Sequence, residues 1–174
     1  MESFDNSRTA GNFSAVKKQK LIAVIVEKLR DDLALYHKAA DFARAEATHE
    51  QSKAENKYDT RGLEASYLAR GQSRQAAEIV LAIEKFEKLP ARDFASTDAV
   101  DTGALVELKN GKEANIYFLG PRAGGTEVVF EKREVLVITP ESPLGSQLMG
   151  KKVGDKCVLE LAGQKQQFRV SQVW

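Results

Sequence analysis

Three carboxylates stand close together near the middle of the chain: Glu50, Glu55 and Asp59, within Glu50-Gln51-Ser52-Lys53-Ala54-Glu55-Asn56-Lys57-Tyr58-Asp59. Carboxylate oxygens suit a hard divalent cation, and Mg²⁺ is typically bound through one or two carboxylates plus substrate phosphate. A cation held this way can serve phosphodiester hydrolysis. Glu55 and Asp59 are four residues apart and share a helix face if a helix has begun there. Glu50 meets them only across a turn. Lys53 and Lys57 lie among the acids and oppose a cation electrostatically. The same residues read equally as a solvated, mixed-charge hairpin turn, and both readings stand.

Other chemistry is sparse. His37 and His49 are twelve residues apart on one helical segment, too far to share a metal. There is no paired Cys/His spacing, phosphate loop or Ser-His-Asp set. Gly120-Pro121-Arg122-Ala123-Gly124-Gly125 lacks the spacing of a phosphate cradle and reads as a loop. Lys151 and Lys152 read first as solvated lysines beside a turn, and only second as a nucleic-acid contact. Cys157 is the single cysteine, which excludes an intrachain disulfide and fits a reducing compartment. Its alternating context predicts a buried structural thiol.

The acids have to be positioned by the segments on either side. Before Pro90 the apolar pattern is helical. Ile22, Ile25, Leu29, Leu33, Tyr36, Ala40, Ala43 and Ala47 are spaced by 3 or 4, with no Pro or Gly between Phe13 and His49. This predicts one helix of about 35 residues, roughly 50 Å long at about 1.5 Å per residue. A second segment follows from about Glu55 to Lys88. In it Tyr58, Gly62, Ala65, Leu68, Gln72, Ala76, Ile79, Ile83 and Phe86 step the same way. Gly62 and Gly71 weaken it by about 1 kcal/mol each, but small residues let a partner helix come close. With the polar stretch Glu50 to Ala54 between them, the two read as an antiparallel hairpin. No further long helix is available to complete a bundle. The seam is richer in Ala toward the tip and in Ile, Leu and Phe toward the base.

After Pro90 the period becomes 2. Strands are expected at Ala104–Leu108, Ala114–Leu119, Glu127–Phe130, Val135–Ile138, Cys157–Leu161 and Gln167–Val173. Asn110-Gly111 is a strong hairpin signal between the first two. Ala162-Gly163-Gln164 turns the last pair, and Trp174 is expected to pack the final strand. Ala91–Thr102 reads as a linker or a first edge strand. The result is α+β: a compact, mostly antiparallel sheet with one small helix.

That helix lies in Ser142-Pro143-Leu144-Gly145-Ser146-Gln147-Leu148-Met149-Gly150-Lys151-Lys152-Val153-Gly154-Asp155-Lys156. Ser142 suits the N-cap and Pro143 the first helical position. Leu144, Leu148 and Met149 form an apolar face. Gly150 ends the helix in a left-handed conformation. Val153-Gly154-Asp155 then turns into the next strand.

The chain is electrically balanced. Its 174 residues carry a net charge of +1, and 29% are charged. Residues 1–89 hold 15 Lys and Arg against 14 Asp and Glu, and residues 90–174 hold 11 against 11. No overall field draws it to nucleic acid or a membrane, and a pure DNA binder would be more basic. Residues 1–13 lack the apolar core of a signal peptide, and the longest apolar run, Leu21–Val26, is too short to span a bilayer.

The 142–156 string resembles the C-terminal domain of the bacterial Gre-type transcript cleavage factors, GreA and GreB, which carry an SPLG-x-x-L-x-G-K-x-x-G-D segment there. The resemblance implies an N-terminal antiparallel coiled-coil hairpin and a C-terminal domain with the fold of FK506-binding proteins. The expected boundaries are a flexible N-terminus at 1–13, the hairpin at 14–88, a linker at 89–101 and the FKBP-like domain at 102–174. That fold does not by itself carry prolyl isomerase activity.

The family's function follows as an expectation. The hairpin enters the secondary channel of bacterial RNA polymerase, where tip acids help hold a Mg²⁺ and a water, and the RNA 3′ end of a backtracked complex is hydrolysed. The family's D-x-x-E-N segment, followed shortly by Tyr, maps onto this chain in part. Glu55-Asn56 matches the Glu-Asn pair and Tyr58 falls one residue early. The Asp falls on Ser52; aligning on Tyr58 instead puts Gln51 and Ala54 at the acidic places. The implied catalytic residues are Glu55, with Glu50 and Asp59 as helpers, and Glu55 is the implied metal ligand. Ser142, Pro143, Leu144, Leu148 and Met149 are the implied polymerase-docking residues. The chain is not expected to be an enzyme itself. It is expected to bind no cofactor tightly beyond Mg²⁺ shared with the polymerase, and to work as a cytoplasmic monomer off the membrane. The alternative is a secondary-channel regulator or competitor of Gre factors that does not cleave.

Overall fold

The structure, a computed structural model, describes residues 15–48, 61–111, 113–161 and 164–174. The expected flexible N-terminus at 1–13 and the polar turn Glu50–Ala54 lie outside these residues. The chain divides into two compact units, with Val24–Lys88 as one and the residues up to Ala23 together with Leu89–Trp174 as the other.

Two helices build the first of these. Helix α1 spans Ala15–Thr48 and α2 spans Arg61–Glu87. Ion pairing of Arg30 with Glu87 (2.7 Å) and a hydrogen bond from Arg44 to Ser73 (3.0 Å) join them. A rise from 30 to 44 on α1 matches a fall from 87 to 73 on α2, so the helices are antiparallel. All eight α1 seam positions, Ile22 to Ala47, are buried or half-buried. On α2 one expectation fails: Leu68 is exposed and Ala69 is buried. The buried and half-buried positions Gly62, Ala65, Ala69, Gln72, Ala76, Ile79, Ile83 and Phe86 follow in steps of 3 and 4, with small residues at the first three. Heptad spacing puts residue 69 in the seam whatever the greater hydrophobicity of its neighbour.

The other unit is a six-stranded sheet with α3, joined by the first turns of α1. Its strands are β1 Leu105–Asn110, β2 Glu113–Leu119, β3 Glu127–Phe130, β4 Arg133–Ile138, β5 Lys156–Leu161 and β6 Gln164–Val173; α3 is Pro143–Leu148. The order is β3-β4-β2-β1-β6-β5, antiparallel throughout except for the parallel pair β2–β4. Leu105, Val106, Glu107 and Leu108 of β1 are all buried, as befits a central strand covered on both faces. The first hairpin forms at Asn110-Gly111, with Asn110 still paired to Glu113 and the left-handed Gly111 (φ 60°) beginning the loop. Trp174 exchanges both backbone hydrogen bonds with Leu105 (2.9 and 3.0 Å).

The core gathers Val106 and Leu108 with Leu119, Ile138, Leu148, Cys157, Phe168, Val170 and Val173. Residues 91–102, expected as a linker or edge strand, form no strand and contribute Phe94 and Val100 to this core. The Val100 N–H donates to the Lys151 carbonyl (2.8 Å), and the Gly150 N–H donates to the Val100 carbonyl (2.9 Å).

Candidate functional site

The 142–156 motif is a folding device almost residue by residue. The Ser142 hydroxyl donates to the Thr139 carbonyl (2.7 Å) and accepts the Gly145 N–H (3.0 Å), so one side chain closes the turn out of β4 and caps α3. Pro143 takes the first helical turn, where no N–H is needed. A Cβ on Gly145 would lie 1.9 Å from the Thr139 carbonyl oxygen, so only glycine permits this approach. Leu148 is fully buried, and Leu144 packs partly buried against the same core. The Met149 N–H closes on the Gly145 carbonyl (2.9 Å), and Gly150 stops the helix at φ 77°. Gly154, at φ 98°, and Asp155, whose carboxylate accepts the Lys152 N–H (2.9 Å), make the turn into β5.

The five implied docking residues are therefore brought together but divided in role. Ser142 and Leu148 face inward. Pro143 is exposed, Leu144 is half-buried, and Met149, expected on the apolar face, is 38% exposed at the C-cap of α3. Gln147, to which the sequence assigned no role, lays its amide oxygen across the β5 edge and accepts the Val158 N–H (3.1 Å). Met149 and Gly150 line an open groove of about 660 Å³ together with Arg92, Asp93, Asp98 and Asp101.

A second constellation escaped the sequence reading. Lys18, in the first turns of α1, is fully buried. Its ammonium donates to the Arg92 carbonyl and to the Gly103 carbonyl (3.4 Å), and lies 4.3 Å from the Phe94 ring centre. The Arg92 guanidinium stacks on the same ring at 4.1 Å. Burial lowers the Lys18 pKa to about 8, with Asp93 opposing the change and Arg92 adding to it. One signal was available, since residue 18 lies one helical step before Ile22 and extends the seam. Lys17 beside it pairs with Glu131 (3.1 Å). The start of α1 is thus fastened both to the 92–103 stretch and to the turn after β3.

Glu107 is the other buried charge. It sits at a bulge between β1 and β6, and accepts hydrogen bonds from Ser171 Oγ (2.6 Å) and the Lys109 ammonium (3.0 Å). Burial pushes its pKa up, but these two partners outweigh burial and hold it below the usual carboxylate range. Cys157 is buried, and burial raises its pKa, which suits an inert core thiol.

The tip acids Glu50, Glu55 and Asp59, with Ser52, Lys53 and Lys57, lie outside the described residues, as does His49. Among the described residues no group of three or more His, Cys, Asp or Glu is placed to hold a metal. The helices leading to the tip carry large exposed apolar side chains: Leu35, Phe42, Leu63, Tyr67 and Leu68 are each more than half exposed. No helix among the described residues is long and apolar enough to cross a membrane.

Residues 95–174 match the family described as "Transcription elongation factor, GreA/GreB, C-term". The Gre-type resemblance read from the 142–156 motif therefore holds, and the C-terminal domain is of the GreA/GreB kind. Solved structures similar to this chain include the following three. GreA factor homolog 1 (Gfh1) of Thermus thermophilus is 23% identical, with 86% of this chain and 94% of that one covered and a TM-score of 0.35. Gfh1 of Thermus aquaticus is 24% identical, over 84% and 92%, with a TM-score of 0.38. A further structure of the transcription factor Gfh1 is 22% identical, over 86% and 93%, with a TM-score of 0.38. No curated protein sequence matches the chain.

Proposed function

We propose that this chain is a transcription factor of the Gre type that binds bacterial RNA polymerase and reaches its secondary channel with the α1–α2 hairpin. The observation that carries this reading is the match of residues 95–174 to the GreA/GreB C-terminal domain, on a chain whose remaining half is an antiparallel helical hairpin. In this reading the α3 surface, with Pro143 and Met149 outward, docks the domain on the polymerase, and the tip stretch 49–60 approaches the RNA 3′ end. The chain acts as a cytoplasmic monomer and as a helper of the polymerase's own activity, not as an enzyme.

Two outcomes of that binding are distinguished by the tip. The first is stimulated cleavage of backtracked RNA. A Mg²⁺ shared with the polymerase, when bound, supplies activated water for phosphodiester hydrolysis. Glu55 would hold it, with Glu50 and Asp59 as neighbours. The second is occupancy of the channel without cleavage, which regulates transcription or competes with cleaving Gre factors. Ser52 at the place of the family's Asp, with Lys53 and Lys57 beside the remaining acid, favours this second outcome. A lone carboxylate flanked by two ammonium groups holds Mg²⁺ poorly.

The test is a cleavage assay on backtracked complexes of a bacterial polymerase, run beside a direct binding measurement. The natural protein is expected to bind and to stimulate cleavage weakly or not at all. Ser52→Asp should increase cleavage, and Glu55→Ala should abolish whatever cleavage exists while leaving binding nearly unchanged. Absence of binding by the full chain would refute the polymerase reading. Strong cleavage that survives Glu55→Ala would place the chemistry on other residues, with Glu50 and Asp59 next in line.

A further inference from the structure

The sheet treats its two edges differently. At the β5 edge the Val158 N–H, which points away from β6, is taken by the Gln147 side chain that α3 supplies. At the β3 edge there is no such cover. The phase of the β3–β4 ladder is set by the Val137 N–H donating to the Thr126 carbonyl and the Gly125 N–H donating to the Val137 carbonyl (2.8 Å each). Antiparallel alternation then turns Val128 and Phe130 toward β4 and the backbone of Glu127 and Val129 outward. Among the described residues nothing pairs with the N–H or carbonyl groups of Glu127 and Val129.

The strand is also held at some conformational cost. Among the described residues three non-glycine residues have left-handed backbone: Ala123 (φ 59°), Glu131 (φ 49°) and Lys132 (φ 64°). One lies in the loop leading into β3, and the other two form the turn that leaves it. Side chains other than glycine disfavour that region, and such residues gather where the surroundings impose a particular presentation. Lys17 of α1 reaches this turn and pairs with Glu131 (3.1 Å), which helps fix the strand's end.

The side chains define what the edge would accept. Val128 and Phe130 are buried on one face of the sheet. On the other face Val129 is 67% exposed opposite Glu134, and Glu127 is exposed opposite Leu136. The outward face is therefore one exposed valine between two carboxylates.

We propose that the β3 edge is a strand-addition site for an extended segment of a partner protein in which a basic and an apolar residue alternate on one face. The outward groups of Glu127 and Val129 would supply the main-chain hydrogen bonds, Glu127 and Glu134 would attract the basic residue, and Val129 would meet the apolar one. A second copy of this chain fits poorly, because pairing two β3 edges brings the acidic rows of both copies together.

The probe is the peptide acetyl-Lys-Thr-Val-Thr-Lys-Thr-amide, which sets Lys, Val and Lys on one face of an extended strand, titrated into the ¹⁵N-labelled full chain. Saturable shifts are expected at the Glu127 and Val129 amides and not at β5. Val129→Pro removes an outward N–H at a position where an edge strand tolerates proline, and should weaken binding by about tenfold. Glu127→Lys should weaken it similarly, and should instead admit acetyl-Glu-Thr-Val-Thr-Glu-Thr-amide, with Glu, Val and Glu on one face. This charge-swap arm stands even if the proline variant fails to fold. The proposal is overturned by absence of shifts at millimolar peptide, by shifts centred on β5, by unchanged binding in Glu127→Lys, or by concentration-dependent self-association through the same amides.

Discussion

The buried lysine at the root of α1 should make the protein's stability depend on pH in an unusual direction. Lys18 is charged in the unfolded chain up to about pH 10.5, while burial brings its folded pKa to about 8. Below pH 8 both states are protonated and the fold bears the full cost of a desolvated ammonium. Between pH 8 and 10.5 the unfolded state binds more protons, so stability rises with pH. The difference between 10.5 and about 8 corresponds to about 3 kcal/mol as an upper bound. Relaxation around the site and screening reduce this to about 2 kcal/mol. Lys18→Met keeps the unbranched stem and removes the charge. It also leaves the Arg92 and Gly103 carbonyls without their donor, an offset that does not vary with pH. Urea denaturation of both proteins at pH 7 and pH 10 isolates the effect. Burial raises the Cys157 and Tyr117 pKa values, so those groups lose stability as pH rises, but they are common to both proteins and cancel in the difference. The natural protein should gain about 2 kcal/mol on Lys18→Met between the two pH values. A difference constant within about 0.5 kcal/mol, or one that moves the other way, would refute the reasoning.

Gly145→Ala should destabilise the domain by about 3 kcal/mol or more, because its Cβ would meet the Thr139 carbonyl oxygen at 1.9 Å and the backbone must move; thermal denaturation checks this. Leu148→Ala should cost about 2–5 kcal/mol and Met149→Ala less than about 1, since one is fully buried and the other 38% exposed; equal losses in chemical denaturation would contradict the α3 packing. Glu107, held below the usual carboxylate range, contributes stability present above its unfolded pKa and lost as pH falls through its folded pKa. Glu107→Gln should therefore flatten the acid limb of the stability curve, and an unchanged limb in an acid titration would exclude Glu107 as its source.

Much of the scaffold was legible because its signals are local and repeated. The 3–4 spacing of eight α1 positions gave a helix whose seam the structure keeps, and period-2 runs gave the six strands. Leu68 was misplaced because hydrophobicity and spacing disagreed there by one residue, and packing followed spacing. Lys18 was missed because a charged residue is read as solvated unless its partners are known. Those partners, at 92–103, are far away in sequence and are backbone carbonyls that any residue supplies. The β3–β4 turn was also silent: Glu131-Lys132 carries no turn signature, and its left-handed backbone is imposed by the strands on either side. For the tip, sequence supplies only residue types, and convergence of Glu50, Glu55 and Asp59 is a matter of loop geometry.

The most recognisable part of the chain and the part that would decide between the two proposed outcomes are therefore different. Ser142, Gly145, Leu148, Gly150, Gly154 and Asp155 each have a folding role: a cap, a close approach, a core contact, or a turn. A motif built this way is diagnostic because few other residues satisfy the same geometry. It identifies the GreA/GreB C-terminal domain without bearing on cleavage. In the proposed reading, cleavage would need a second carboxylate beside Glu55, and Ser52 with Lys53 and Lys57 favours the outcome without it. The proposed non-cleaving reading rests on this division: the 142–156 residues serve the fold, and only the tip bears on hydrolysis. Ser52→Asp tests that division directly, since it changes the tip alone and leaves every residue of the 142–156 motif in place.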